Sequence, residues 1–212
     1  ATGTEVGKTY ITCGLIDALR RRGTPVSALK PIISGFDPAQ AHTSDTGLIL
    51  RALGKQVNEH SVAEISPWRY HAALSPDMAA AREDRPINLD ALIAVCASAA
   101  NNDRVTFIEG AGGIMSPLAP RFTNLDLIDA IDAHVLLVAG TYLGTISHTL
   151  TACEALKVRG RDPWTIIFSE SPQSPVPPAE TARSLARFTD VPIIVVNRNG
   201  EVPSELLSLL LR

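Results

Sequence analysis

The chain has 212 residues, 45% hydrophobic, 19% charged and 5% aromatic, and its 19 Lys and Arg against 22 Asp and Glu leave a net charge of −3. That apolar content excludes a disordered chain and can build a sizeable core, and the length fits one domain over residues 1–212. The balance of charge argues against a general nucleic-acid binder, yet it leaves room for a small anion held by a few placed cations and backbone N–H groups. No apolar run reaches the roughly 18 residues of a membrane span, and no leader peptide is expected. Cys13, Cys96 and Cys153 are isolated and odd in number. A disulfide framework or a CxxC metal site is therefore not expected, and a cytoplasmic location is.

In chain order, residues 1–9 form a loop-like stretch, Ala-Thr-Gly-Thr-Glu-Val-Gly-Lys-Thr. Such a loop ordinarily follows a buried strand, so an apolar strand ahead of Ala1 is expected. Apolar residues at helical spacing and a basic last turn predict a helix from Tyr10 to Arg22. A strand is predicted from Val26 to Ile33 and a helix from Thr43-Ser44-Asp45 to Leu53, closed by Gly54. Residues 55–87 read as irregular, with a short helix over Pro76 to Glu83. Asn88 caps a predicted helix to Ala99, and Val105 to Ile108 is a strand that runs into Glu109-Gly110-Ala111-Gly112-Gly113. Then follow a helix from Asn124 to Ile131, a strand from His134 to Ala139 and a helix from Ile146 to Arg159. A strand from Thr165 to Phe168, a helix from Ala179 to Phe188, a strand from Pro192 to Val196 and a helix from Ser204 to Leu211 complete the series. Strands that are apolar throughout, alternating with helices, predict an α/β fold whose mainly parallel sheet is flanked by helices.

Three features carry chemistry. Gly7-Lys8-Thr9 before a helix is the end of a phosphate loop, although the first glycine of the strict GxxxxGK[ST] pattern is replaced by Thr2. Gly7 allows close backbone approach, the helix N-terminus favours an anion, Lys8 can reach phosphates, and Thr9 offers a hydroxyl to Mg2+. Lys30 ends a strand and would face the same crevice, since ligands of open parallel sheets bind beyond the carboxyl ends of the strands. Two cations beside one transferring phosphoryl group suit its charge. Asp45, at a helix start, and Glu109, ending an apolar strand, add carboxylates. With Thr9 they make a partial oxygen shell of the kind a hard cation prefers.

Taken together, Thr4 to Thr9, Lys30 to Gly35, Ser44-Asp45, Leu74-Ser75-Pro76, Glu109 to Gly113 with Pro117-Leu118, and Leu143 to His148 resemble the dethiobiotin synthetase family. The resemblance is collinear to about residue 170. It implies a P-loop NTPase-like fold and an ATP- and Mg2+-dependent ligase of biotin biosynthesis. In that reaction CO2 carboxylates 7,8-diaminononanoate, ATP phosphorylates the carbamate, and ring closure gives dethiobiotin, ADP and phosphate. A homodimer with sites at the subunit interface is also implied. Carried onto this sequence, Lys8 and Lys30 hold phosphates and carbamate, and Thr9, Asp45 and Glu109 are the metal ligands. Glu5, Val6, Gly7 and Ser169 lie on the nucleotide. Thr4, Ser34, Gly112 and Gly113 meet the diamine or carbamate, and Gly144 and Ser147 belong to the segment that crosses to the other subunit. His148 is expected to be structural.

The chain departs from the family pattern at four places. Ala1 stands for Gly, Gly3 for Asp, Ser147 for Asn, and Ser169 for an adenine-reading Asn. A serine cannot pair with the adenine edge as an amide does, so relaxed base choice is expected. One competing reading is a P-loop ATPase switch of the partitioning or metal-insertion kind, which would need a second lysine within Thr2 to Val6; none is there. A cobyrinate-type amide synthetase would need a glutamine-hydrolysing domain. A degenerate homologue would not keep Lys8, Thr9, Lys30, Asp45 and Glu109 together.

Overall fold

A computed structural model describes residues 1–100 and 103–211. Asn101, Asn102 and Arg212, within the expected domain, lie outside the described residues. Helix α1 (Lys8–Arg21) leads to strand β1 (Val26–Leu29), and β2 (Ile32–Ile33) follows after Lys30-Pro31. Helices α2 (Asp45–Ala52) and α3 (Glu59–Ile65), strand β3 (Trp68–Arg69), helices α4 (Pro76–Arg82) and α5 (Leu89–Ala100), and strand β4 (Val105–Ile108) come next. A hairpin of β5 (Pro117–Ala119) and β6 (Phe122–Thr123) precedes α6 (Asn124–Ala130). The chain then alternates through β7 (Leu136–Gly140), α7 (Thr145–Val158), β8 (Thr165–Ser169), α8 (Pro178–Leu185), β9 (Ile193–Val196) and α9 (Ser204–Leu210).

The expected α/β architecture is present. Strands β1 and β4 pair in parallel from Val26 against Val105 to Leu29 against Ile108, and β7, β8 and β9 form a second parallel ladder. Helix α1 packs Ile11, Leu15 and Leu19 onto Val138, Ile167 and Val196, with Leu206 and Leu207 of α9. On the other face, Ala152 and Leu156 of α7 and Leu185 of α8 cover Leu137, Ile166 and Phe168. The β8 side chains are therefore buried on both faces, as its uninterrupted apolar sequence requires.

Three elements differ from the sequence reading. The predicted strand Val26 to Ile33 is two strands, because Pro31 has no N–H to give the ladder and pushes the chain out of register; β2 pairs instead with β3. The stretch read as irregular holds α3, whose start is a capping box between Asn58 and Ser61. The hairpin β5–β6 turns at Arg121, which takes a left-handed conformation at φ 59°.

Between β4 and β7 the ladder is interrupted. Thr2 donates its N–H to Val138 O at 3.0 Å and Ile114 donates to Ala1 O at 2.9 Å, so Ala1 and Thr2 sit at the crevice end of the gap. The gap is a slot of about 460 Å3, lined by Ile11, Leu15, Val105, Phe107, Leu136 and Val138 among others.

Candidate active site

At the carboxyl ends of β1 and β4 the loops enclose a crevice of about 890 Å3. The loop of residues 1–7 forms one wall and enters α1 through Gly7, whose φ of 89° lies in the left-handed region that glycine tolerates. A Cβ at Gly7 would lie 2.2 Å from Ser169 Oγ, so the close approach of these two loops also demands glycine. No side chain caps the first turn of α1. Its leading N–H groups are thus left for an anion, with the helix dipole behind them. Lys8 Nζ donates to Gly3 O at 2.7 Å, folding the lysine over its own loop.

The floor is an ion cluster. Lys30 and Glu109 are only 3% and 5% exposed. Lys30 Nζ lies 2.8 Å from Glu109 Oε1 and 3.1 Å from Asp45 Oδ2. Thr9 donates to Glu109 Oε1 and Thr12 to Glu109 Oε2, both at 2.8 Å. Burial alone would pull the Lys30 ammonium down, but the charges of Glu109 and Asp45 outweigh it and hold the pKa above the ordinary lysine value. Burial would likewise raise Asp45; Lys30, with help from Thr9 and Lys8, instead keeps it below the ordinary carboxylate range. Lys8 has no close carboxylate to match. Burial, and then the charge of Lys30, lower its pKa to about 8.

Thr4, Glu5, Gly7, Lys8, Thr9, Lys30, Ser34, Asp45 and Gly112 all line this crevice, while Glu109 lies behind Lys30 and lines the slot between β4 and β7. Val6 is buried beneath the loop. Ser169 lies around the corner, in a second cavity of about 230 Å3 with Glu5, Gly7, Tyr10, Glu170 and Arg198. Gly113 stacks on the loop from behind, where a Cβ would lie 3.1 Å from Thr2 O. Gly144 and Ser147 are on the exposed start of α7 and line neither cavity. Next to them Leu143 is 88% exposed, and His148 Nδ1 bonds the Tyr142 hydroxyl at 2.9 Å.

Sequence reasoning missed Thr12, Ser116 and Asn124. Thr12 follows Thr9 by three residues and so shares its helix face, a signal that was available. Ser116 and Asn124 bond backbone atoms of the glycine loop across 3 to 13 residues, which no local pattern announces.

The donor set Thr9, Asp45 and Glu109 is all oxygen: Asp45 and Glu109 meet at the Lys30 ammonium, Thr9 bonds Glu109, and Thr9 and Asp45 line the crevice. That chemistry fits a Mg2+ ion, which takes one or two carboxylates and fills its remaining positions with water and phosphate. No group of three or more His, Cys, Asp and Glu side chains suited to a metal occurs among the described residues.

A parallel α/β sheet, a glycine-led loop running into α1, and paired cations beside carboxylates at the strand ends define a phosphate-loop protein of the nucleotide-dependent enzyme class. A family model described as an AAA domain matches residues 1–206. The ATP-dependent dethiobiotin synthetase BioD of Methylobacterium nodulans is 44% identical over 98% of this chain and 95% of its own length. Those of Acidiphilium cryptum and a Caulobacter species are each 46% identical, over 88% and 94% of this chain and 85% and 86% of their own lengths. The chain belongs to the ATP-dependent dethiobiotin synthetase family, whose members are ligases.

Proposed function

We propose that this enzyme joins CO2 to 7,8-diaminononanoate with Mg-ATP and closes the product to dethiobiotin. The observation that carries the reading is the crevice in which Lys8, Lys30 and the open N-terminus of α1 face Asp45 and Glu109. Attack of a carbamate on a γ-phosphate joins two anions, so it needs cations and in-line positioning more than a general base. Lys8 moves from Gly3 O to the phosphates, and Lys30, fixed by its two carboxylates, holds charge against the reacting oxygens. Mg2+ bound through Thr9, Asp45 and Glu109 would neutralise phosphate charge. Thr4, Ser34, Gly112 and Gly113 hold the diamine and carbamate. Glu5, Val6, Gly7 and Ser169 hold the nucleotide, whose base lies in the cavity beside Glu170 and Arg198.

Gly144 and Ser147 bind nothing within one subunit by this reading; beside exposed Leu143, they serve the site of a second copy in a homodimer. Among the described residues no helix is long and apolar enough to cross a membrane, in keeping with a cytoplasmic enzyme.

The test is ADP release with Mg-ATP and bicarbonate, with and without the diamine, with the product weighed by mass spectrometry. Diamine-dependent release with the mass of dethiobiotin is expected. Diamine-independent hydrolysis would instead indicate an ATPase switch.

A further inference from the structure

The loop Gly110-Ala111-Gly112-Gly113 has three glycines in four residues. Glycine loses more backbone freedom on ordering than any other residue, so a loop of this composition has no single shape of its own. Here its shape is imposed from outside. The buried Asn124, first residue of α6, donates from Nδ2 to Ala111 O at 2.7 Å and to Gly113 O at 2.8 Å. Its other amide atom, Oδ1, faces Gly110 so closely that a Cβ there would lie 2.8 Å away. Ser116 Oγ accepts from Gly113 N at 2.8 Å, and Asn124 N donates to Ser116 O at 3.2 Å. Gly112 is held at φ 74°. With these bonds made, the N–H groups of Gly110, Ala111 and Gly112 have no partner among the described residues, and Ala111, Gly112 and Ser116 line the crevice.

Helix α6 is itself anchored. Thr123 and Asp126 close a capping box at its start, and Asp126 also accepts from Arg159, beyond the end of α7, at 3.0 Å. Asn124 therefore stands on a fixed support.

We propose that Asn124 is a positioning residue: its amide clamps the glycine loop so that the free N–H groups meet the anionic end of the carboxylated substrate. Ser116 is the second half of the clamp. The inference rests on the diamine reading of the crevice. The phosphate loop has anchors of its own in α1 and the Thr2–Val138 hydrogen bond, and it meets the glycine loop at Ile114 N–Ala1 O and where Gly113 packs on Thr2, so the clamp acts chiefly on the diamine side and only weakly on ATP.

Three variants test it. Asn124→Ala removes the donor, Asn124→Asp keeps the size but replaces the donating amide by a carboxylate, and Ser116→Ala removes the other half. All three are expected to lower kcat/KM for the diamine, Asn124→Asp and Asn124→Ala by about 10- to 100-fold, as misplacement by an ångström does. ATP affinity by calorimetry should stay within about threefold, less than the loss of one hydrogen bond would cost. Hydrogen exchange at the Gly113 amide, the loop N–H that is bonded to Ser116 Oγ, should quicken in each variant. Unchanged exchange in both folded Asn124 variants would overturn the proposal whatever product the wild type makes. A diamine kcat/KM that falls only in step with ATP affinity and melting temperature would overturn it too, since that is a general loss of structure. A wild type that makes no dethiobiotin would defeat the diamine reading alone, with the exchange measurement still deciding the clamp.

Discussion

The two cavities that meet at Gly7 are built in opposite ways. In the crevice, the buried cation Lys30 is matched by two carboxylates, and Glu109 has both oxygens occupied, by Lys30 and Thr9 on one side and Thr12 on the other. Around Ser169 there is no buried ion pair among the described residues. The wall there is Gly7 backbone, small hydroxyls, and Glu170, which accepts from Arg198 N at 2.8 Å. A cluster of coupled charges cannot lose one member cheaply, because each partner is then buried without compensation. A wall of backbone and hydroxyls can change one side chain at little cost. The chain's departure from the family pattern at Ser169 falls on the tolerant side, and the five charge-bearing or metal-side residues fall on the other.

The largest effect should come from Lys30→Ala. It leaves the buried Glu109 without its cation beside the half-exposed Asp45, so a loss of about 3 kcal/mol of stability is expected together with loss of activity. Urea denaturation and the product assay check it. A variant as stable as the wild type would mean that water already screens these carboxylates, and the contrast between the cavities would weaken. Next is Lys8→Gln, which removes a cation that makes only a loop contact before substrate binds. The fold should persist while kcat falls by about 10²–10³, the usual effect of losing one electrostatic contact to the transition state. A kcat within about threefold of wild type would refute its role.

A smaller effect separates the two lysines by pH. Lys8 titrates near pH 8 when unbound, because burial and Lys30 disfavour its charge. Phosphates would restore that charge. Binding of ATP therefore takes up a proton above about pH 8, and affinity falls as pH rises through this value. For folding the sign is reversed: the depressed pKa makes protonated Lys8 a cost below pH 8, relieved as pH rises towards the ordinary lysine value. Lys30, with its raised pKa, contributes stability that persists through the same window. Calorimetry in buffers of different ionisation enthalpy should detect the proton, and Lys8→Arg should abolish it, since arginine stays charged. Proton uptake that survives in Lys8→Arg would assign the titration to another group.

How much of this could be read in the sequence follows the same division. Lys8, Thr9, Lys30 and Glu109 were legible because each sits where a strand ends or a helix begins, and apolar patterning fixes those places. The split at Pro31 was visible in principle, since proline cannot serve a central ladder. Helix α3 was not found because its 7 residues are too short for periodicity to declare, although the Asn58–Ser61 cap was there to be seen. Asn124 was unreadable, because its partners are backbone oxygens of a loop whose shape exists only once the hairpin and α6 are in place. Gly144 and Ser147 are placed by the fold on a surface, and one chain alone gives them nothing to bind.

The smallest effect tests the tolerant cavity directly. Ser169 offers donor and acceptor on one hydroxyl oxygen, where a carboxamide sets a donor and an acceptor side by side toward the edge of a base. The wild type is therefore expected to use CTP and GTP within about tenfold of ATP in kcat/KM, the scale set by one or two hydrogen bonds. The cavity in front of Ser169 is about 230 Å3, so a longer side chain has space to enter it. Ser169→Asn should accordingly raise the preference for ATP by about five- to tenfold, the worth of one hydrogen bond, with kcat for ATP unchanged, because the ion cluster does not touch this residue. Competition assays with the three nucleotides check both numbers. A wild type already strongly selective for ATP would show that Glu170 and the backbone around Arg198 read the base unaided, and that the cavity is as fully specified as the crevice.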